Sequence, residues 1–173
     1  MDNSDTCERI IGLLIAEQRK VQASGSLIAT IMMTYSFIDA MAWASLPEGR
    51  DEVKRTDFIS WVERWMQTSA PFEYQYNGDD VYNARCAMLH TLSPQIRRGG
   101  RRFGYHDGVP HRFRPDIAQD LVMISVPLLV HDLWSGVSRF ISFERQGQNY
   151  SRITDRFGEM FNQLPYSANS GSN

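Results

Sequence analysis

The chain has 173 residues, of which 42% are hydrophobic and 12% aromatic, and its formal net charge is −2 at pH 7. This length suits one domain with its own core, and this composition excludes an intrinsically disordered chain. The near balance of charge excludes a uniformly basic nucleic-acid-binding protein, although it leaves room for a local basic patch.

Cysteine usage and the N-terminal residues indicate the cellular compartment. Cys7 and Cys86 lie far apart and match neither a disulfide framework nor a zinc-binding spacing. The first five residues are polar and acidic, unlike the basic start of a signal peptide. The longest apolar stretch, residues 27–46, contains Asp39 and several hydroxyl side chains, which favours a buried core helix over a membrane span. We therefore expect a cytoplasmic protein that does not cross a membrane.

Hydrophobic periodicity predicts four helices in the first half of the chain. They cover about residues 5–23, 27–46, 56–68 and 79–92. A Ser-Gly-Ser break precedes the second helix, and Pro47 follows it. The third helix carries one stripe of aromatic and aliphatic residues, which is typical of a buried face. We expect Asp79 or Asp80 to cap the fourth helix.

The second half of the chain mixes short strand signals with two further helices. Asp107-Gly108 lies between short alternating runs, which predicts a β-hairpin. Residues 121–126 are compatible with a strand, and Pro127 suits the first turn of the helix that follows. A last amphipathic helix is predicted at about residues 151–162.

These elements predict an all-α fold: a single-domain bundle of five or six helices with a small β-hairpin after the fourth helix. The predicted domain covers residues 1–166. The small polar residues 167–173 are expected to form a flexible tail.

Positive charge is concentrated in the second half of the chain. Residues 1–80 carry 13 acidic and 7 basic side chains, whereas residues 81–173 carry 7 acidic and 11 basic ones. An arginine cluster follows the fourth predicted helix, and it begins with Arg97, Arg98, Arg101 and Arg102. Because arginine binds phosphate bidentately, these four residues are candidate contacts for an RNA backbone. A solvated loop without a ligand explains them equally well.

The fourth predicted helix also holds the candidate catalytic residues, Arg85 and His90. Five positions on a helix place them about 7.5 Å apart along the axis and about 140° apart around it. A long arginine side chain and a histidine near the helix end can nevertheless border one cleft. An imidazole can transfer a proton near neutral pH, and a guanidinium can stabilise a phosphate without a metal.

The spacing of Arg85 and His90 resembles the Rx4-6H motif of HEPN domains. The wider stretch, an acidic turn followed by Val81-Tyr82, looks like the HEPN-like families of uncharacterised bacterial proteins. In that superfamily, the fold is a small helical bundle and many members are metal-independent endoribonucleases without a cofactor. Two positions depart from the pattern. Cys86 stands where a polar residue, commonly Asn or Asp, follows the arginine, and Leu92 stands where some toxins carry a tyrosine.

The resemblance also implies partners. In HEPN domains two copies meet across a dimer, so we expect a homodimer whose two Arg85 and two His90 form one composite catalytic site. The resemblance also implies that RNA is the substrate. It further implies a role as a toxin or in defence, with an antitoxin or another regulatory partner.

A catalytically silent HEPN-like binding or scaffold module is the alternative function. Arg85 would then be an exposed arginine, and His90 a histidine stabilised by the helix dipole. If Arg85 and His90 from both subunits face one open, basic cleft, the enzyme is favoured; if they are buried apart or paired with local acids, the module is favoured. A metal site at His106, Asp107 and His111 is a weaker alternative, because one short hairpin would supply every ligand.

Overall fold

The computed structural model describes residues 3–67, 76–91, 101–108, 111–115 and 121–162. The helices are α1 (Asn3–Ala23), α2 (Leu27–Ala44), α3 (Arg55–Trp61), α4 (Gly78–Thr91), α5 (Val126–Glu144) and α6 (Tyr150–Asn162). The strands are β1 (Arg102–His106), β2 (Phe113–Pro115) and β3 (Leu121–Ser125). The mainly helical class is confirmed. The predicted tail, residues 167–173, and the domain end at residue 166 lie outside the described residues.

Helix α2 lies at the centre of the bundle, where it contacts α1, α3, α4, α5 and α6. It begins after Gly25, which adopts a left-handed φ of +73°, and Ser26 caps it by accepting a hydrogen bond from the amide of Ala29. By length and apolar composition α2 would also fit a membrane span, as many core helices do. Its contacts with five other helices are those of a core helix.

Helix α3 continues into a π-helical turn, Val62–Met66, that packs closely against α5. Trp61 and Trp65 meet Phe140 edge to face, so the aromatic stripe of the sequence is part of the core, as predicted. Gly136 of α5 faces the backbone of this turn. Arg139 Nε donates a hydrogen bond to the carbonyl of Trp65 at 2.9 Å, which satisfies one acceptor of the irregular turn.

The small sheet differs from the predicted hairpin. Strand β1 pairs in parallel with β3, and β2 pairs antiparallel with β3, so the strand order is β1-β3-β2. The two strands that flank Asp107-Gly108 are therefore not neighbours, and the hairpin predicted at this turn is wrong; the consecutive antiparallel strands are β2 and β3. The physical reason is that β3 is the most apolar of the three strands, with Val122 and Ile124 buried, so it takes the central position between them.

A buried ion pair ties the segment before β2 to helix α5. The carboxylate of Asp132 is fully buried; it accepts hydrogen bonds from Arg112 Nε at 2.8 Å and from the Tyr76 hydroxyl at 3.1 Å. A buried carboxylate is stable only when it is paired, so these contacts fix the end of the sheet against the bundle.

Helix α4 begins at a capping box. Asn77 Oδ1 accepts a hydrogen bond from the amide of Asp80 at 2.8 Å, and Asp80 Oδ2 accepts one from the amide of Asn77 at 3.3 Å. The cap is therefore Asn77 rather than the predicted Asp79 or Asp80. Asp79 lies in the first turn and pairs with Arg55 of α3.

Candidate functional site

Two elements, α2 and β1, hold the part of α4 that carries the candidate residues. The hydroxyls of Tyr35 on α2 and Tyr105 on β1 are 3.1 Å apart, and the Tyr105 hydroxyl donates to the carbonyl of Ala84 at 3.5 Å. Burial raises the pKa of Tyr105 to about 12, with the hydrogen bond from Tyr35 opposing it, so the hydroxyl keeps its proton. These contacts fix the turn of α4 that precedes Arg85.

Arg85 forms an ion pair with Asp39, which lies one turn after Tyr35 on α2. The carboxylate of Asp39 is 2.8 Å from Nε and 2.7 Å from Nη2 of Arg85. Burial raises the pKa of Asp39, and Arg85 and His90 offset part of this rise. Burial also opposes the charge on Arg85, but Asp39 outweighs it, so the pKa of Arg85 is raised.

The structure brings Arg85 and His90 together. Nη1 of Arg85 lies 3.1 Å from Nε2 of His90, whose side chain is exposed. A guanidinium has only donors, so Nε2 accepts this hydrogen bond and the ring proton lies on Nδ1. The arginine side chain thus closes the angular gap that the helix leaves between the two residues.

This geometry meets the condition set for the module, because Arg85 is paired with the local acid Asp39. The enzyme requires that Arg85 and His90 of two subunits face one open, basic cleft; here Arg85 borders a cleft and His90 is exposed beside it. The guanidinium is not used up by these contacts. Among the described residues, Asp39 and His90 accept from three of its five N–H groups, and the Cys86 sulfur, a weak acceptor, lies 3.8 Å from Nη1. Donors are left for a phosphate oxygen.

A cleft of about 450 Å³ opens beside Arg85. Helices α2, α3, α4 and α6 and the segment before α3 form its walls. The aromatic rings of Trp43, Phe58 and Tyr82 line it, and Arg85, Asp39 and Lys54 supply charge. Concave, mostly apolar surfaces with a few polar groups are typical of ligand sites. The aromatic stripe of α3 was predicted to be core, and no pattern in the sequence predicted this cleft.

Of the arginine cluster, Arg101 contacts a different part of α4. Arg101 is exposed, and its Nη1 contacts Asp80 Oδ1 at 2.6 Å, in the first turn of the helix. Asp80 precedes Arg85 by about 7.5 Å along the helix axis. Arg102 opens β1 and is half-buried. Arg97 and Arg98 lie outside the described residues. The structure therefore does not bring Arg101 into contact with Arg85 or His90.

Metal-ligating side chains do not cluster in the part of the chain that the structure describes: it contains no group of three or more His, Cys, Asp or Glu residues that could hold an ion. His106 Nδ1 instead accepts a hydrogen bond from the amide of Gly108 at 3.1 Å. The alternative metal site at His106, Asp107 and His111 gains no support from these contacts.

Comparison with known proteins gives no match: no protein-family model, no curated protein and no solved structure matches this chain. The HEPN-like interpretation therefore depends on the Arg85–His90 motif and on the geometry of α4. That geometry includes Asp39, which the sequence analysis did not identify as a site residue. Asp39 is the only charged residue in α2, and a lone charge on an apolar helix is the signal that could have identified it.

Proposed function

We propose that this chain is a HEPN-like, metal-independent endoribonuclease that acts as a homodimer. The observation that supports this proposal is the 3.1 Å contact between Arg85 Nη1 and His90 Nε2 beside an open cleft. The contact joins a cation suited to phosphate and an imidazole with an unprotonated nitrogen. Two copies of the chain would bring two such pairs to one composite site.

The reaction is an internal transfer that each pair serves in part. His90 Nε2 takes the proton of a 2′-hydroxyl, whose oxygen attacks the neighbouring phosphorus. The bond from phosphorus to the 5′-oxygen breaks, which leaves a 2′,3′-cyclic phosphate, and His90 of the partner subunit protonates the leaving 5′-oxygen. Arg85 stabilises the charge that builds on the phosphate. Arg85 must therefore move an N–H from His90 to the phosphate, which frees the imidazole lone pair.

Asp39 acts on Arg85 in this proposal and not on the substrate. Its carboxylate holds Nε and Nη2, which leaves Nη1 of the guanidinium in contact with His90. A fixed guanidinium loses less side-chain entropy when it binds phosphate, which favours catalysis.

The test is an RNA cleavage assay with EDTA present. We expect the purified protein to cut mixed RNA and to leave cyclic phosphate ends. His90→Ala should abolish cleavage and leave RNA affinity nearly unchanged, because in this proposal the arginines supply most of the attraction for phosphate. His131→Ala is the matched control, since His131 is an exposed histidine on α5. Cleavage that is absent from the wild-type protein, or that survives in His90→Ala, would contradict the proposal.

We further propose that Arg97, Arg98, Arg101 and Arg102 bind the RNA backbone. Replacing Arg101 and Arg102 together with alanine should weaken binding to all sequences alike. It should also make the salt dependence shallower, by about 0.7 in slope for each lost contact with a single strand. Arg145→Ala, which removes an exposed arginine at the end of α5, is the control. If affinity does not respond to the double substitution, the cluster is a solvated loop.

The silent HEPN-like module is favoured by one observation, the ion pair between Asp39 and Arg85. The substitution Asp39→Asn separates the two functions. In an endoribonuclease it misplaces the guanidinium, so the cleavage rate falls while the RNA affinity changes little. In a scaffold module it changes stability alone, and no RNA cleavage exists to be lost.

A further inference from the structure

We propose that the cleft beside Arg85 binds one nucleobase of the RNA and so places the adjoining phosphate on the Arg85 guanidinium. This inference rests on the proposed function and assigns a substrate subsite to it. The cleft is formed by α2, α3, α4, α6 and the segment before α3, whereas the Arg85–His90 contact lies within α4 alone. Arg85 is the residue that the two have in common.

The aromatic rings of the cleft are held in place before any ligand binds. Tyr82 and Trp43 are half-buried, and the Phe58 ring meets the Tyr82 ring nearly edge to face, with centroids 5.5 Å apart. Arg55 lies over the Tyr82 ring at 5.5 Å, and Arg156 lies over the Trp43 ring at 5.1 Å. In this proposal a planar base stacks, at a low entropic cost, on the surface of Tyr82 and Trp43 that the two guanidiniums leave uncovered.

The size and charge of the cleft fit a nucleotide better than an apolar ligand. Its volume of about 450 Å³ lies in the range of small-molecule sites. The Lys54 side chain is exposed and makes no ion pair with any described residue, and Arg85 keeps donors beyond those used by Asp39 and His90. The charge of Lys54 and the Arg85 donors that Asp39 and His90 leave over lie beside aromatic walls, which suits a ligand with a flat ring and an anionic linkage. A purely apolar ligand would leave the charge of Lys54 unmatched.

The cleft also explains how the substrate would be aligned. A base in the cleft fixes the ribose that carries it. In this proposal the phosphate on the 3′-oxygen of that ribose then lies near Arg85, and its 2′-hydroxyl lies near His90. Correct alignment of reacting groups contributes a large part of the rate in such reactions. Loss of the base should therefore reduce both affinity and cleavage.

The experiment compares an RNA oligomer with an abasic oligomer of the same length and charge. Both are labelled, and their binding to full-length His90→Ala protein is measured by fluorescence anisotropy. We expect the RNA to bind more tightly by about 5- to 150-fold, which corresponds to about 1–3 kcal/mol for one stacked base. Tyr82→Ala, made in the same background, should remove most of this preference, whereas Tyr82→Phe should keep it.

Two further variants guard against misfolding and unspecific effects. Ala40→Phe fills the cleft from α2 and should also remove the preference, without truncating the Tyr82 ring. Phe143→Ala removes an exposed aromatic ring of α5 that does not line the cleft, and should leave the preference unchanged. Circular dichroism confirms that each variant is folded.

The outcomes separate this inference from the proposed function. Equal binding of both oligomers, or a preference that survives both Tyr82→Ala and Ala40→Phe, overturns the nucleobase subsite. If wild-type protein still cleaves RNA in that case, the proposed function stands without the subsite. Conversely, a base preference that depends on Tyr82, in a protein that cuts no RNA, supports the subsite and contradicts the nuclease.

Discussion

At the scale of single residues, the Asp39–Arg85 ion pair determines how the guanidinium is presented to the cleft. Asp39 keeps a quarter of its side-chain surface exposed, so solvent screens the pair and its contribution to stability is modest. Its effect on geometry is larger, because it fixes two of the three nitrogens of Arg85. The pair therefore orients a functional group more than it stabilises the fold.

This balance predicts a measurable change in the titration of Asp39. Burial raises its pKa above 3.8, and Arg85 is the main group that lowers it again. Arg85→Gln removes that opposing charge, so the pKa of Asp39 should rise further. A carbon-13 NMR titration of the carboxyl group measures it. Arg55→Gln removes an arginine that does not contact Asp39 and should leave the midpoint in place. A midpoint that falls in Arg85→Gln contradicts this account.

The direction of the shift also fixes its effect on stability. Because the folded pKa of Asp39 is raised, the folded state keeps a proton at pH values where the unfolded chain has lost it. The free energy of unfolding that Asp39 contributes is fully present below pH 3.8 and falls as the pH rises through the folded pKa. Below that pKa Arg85 loses its anionic partner, so the site is assembled only above it.

At the scale of secondary-structure elements, the crossing of α5 over the π-helical turn allows a sharp test. A Cβ on Gly136 would lie 3.0 Å from the carbonyl oxygen and 3.1 Å from the carbonyl carbon of Trp65. These are backbone atoms that cannot move away easily. Gly136→Ala should therefore lower the free energy of unfolding by about 1–3 kcal/mol in urea denaturation.

Gly12→Ala on α1 is the matched control for this substitution. Its Cβ would meet nothing within 4 Å, so removing a helical glycine should stabilise the protein by about 0.5–1 kcal/mol. A Gly136→Ala variant that is as stable as the wild-type protein, or more stable, would contradict the close packing of α5 on the π-helical turn.

The same elements show what local sequence signals can predict. Periodicity placed α1, α2 and α6 within a few residues of their observed ends, because each amphipathic face is encoded within one stretch of chain. The third helix was predicted to run to residue 68, whereas α3 ends at Trp61. The strand order was not predictable in this way. The Asp107-Gly108 signal describes a turn, but the partner of β1 is β3, whose sequence lies beyond β2. The π-helical turn was likewise missed, since it depends on packing against α5.

The candidate site, like the fold, was predictable only where its residues lie close together in the sequence. Arg85 and His90 lie within one helical motif, and a motif of this length can be found by spacing alone. Asp39 lies 46 residues before Arg85. Trp43 on α2 and Met160 on α6 also line the cleft. Only the packing of α2, α4 and α6 brings these residues together, so no local pattern could show the cleft.

At the scale of the whole molecule, the proposed reaction needs more groups than one chain places at the site. It needs a base, a cation and an acid, whereas Arg85 contacts a single histidine among the described residues. A second copy of the chain would supply the missing acid. We therefore expect a dimer at micromolar concentration, detected by sedimentation, and a specific activity that falls when dilution separates the subunits.

Mixing of subunits tests whether both copies contribute to one site. Wild-type and His90→Ala chains are equilibrated in equal amounts, so that only about one dimer in four contains two wild-type subunits. If each dimer needs both His90 side chains, cleavage should fall to about a quarter of the activity of wild-type protein at the same total protein concentration. A mixture with His131→Ala should keep full activity. If cleavage falls only in proportion to the wild-type chains, each subunit works by itself, and the composite site is wrong.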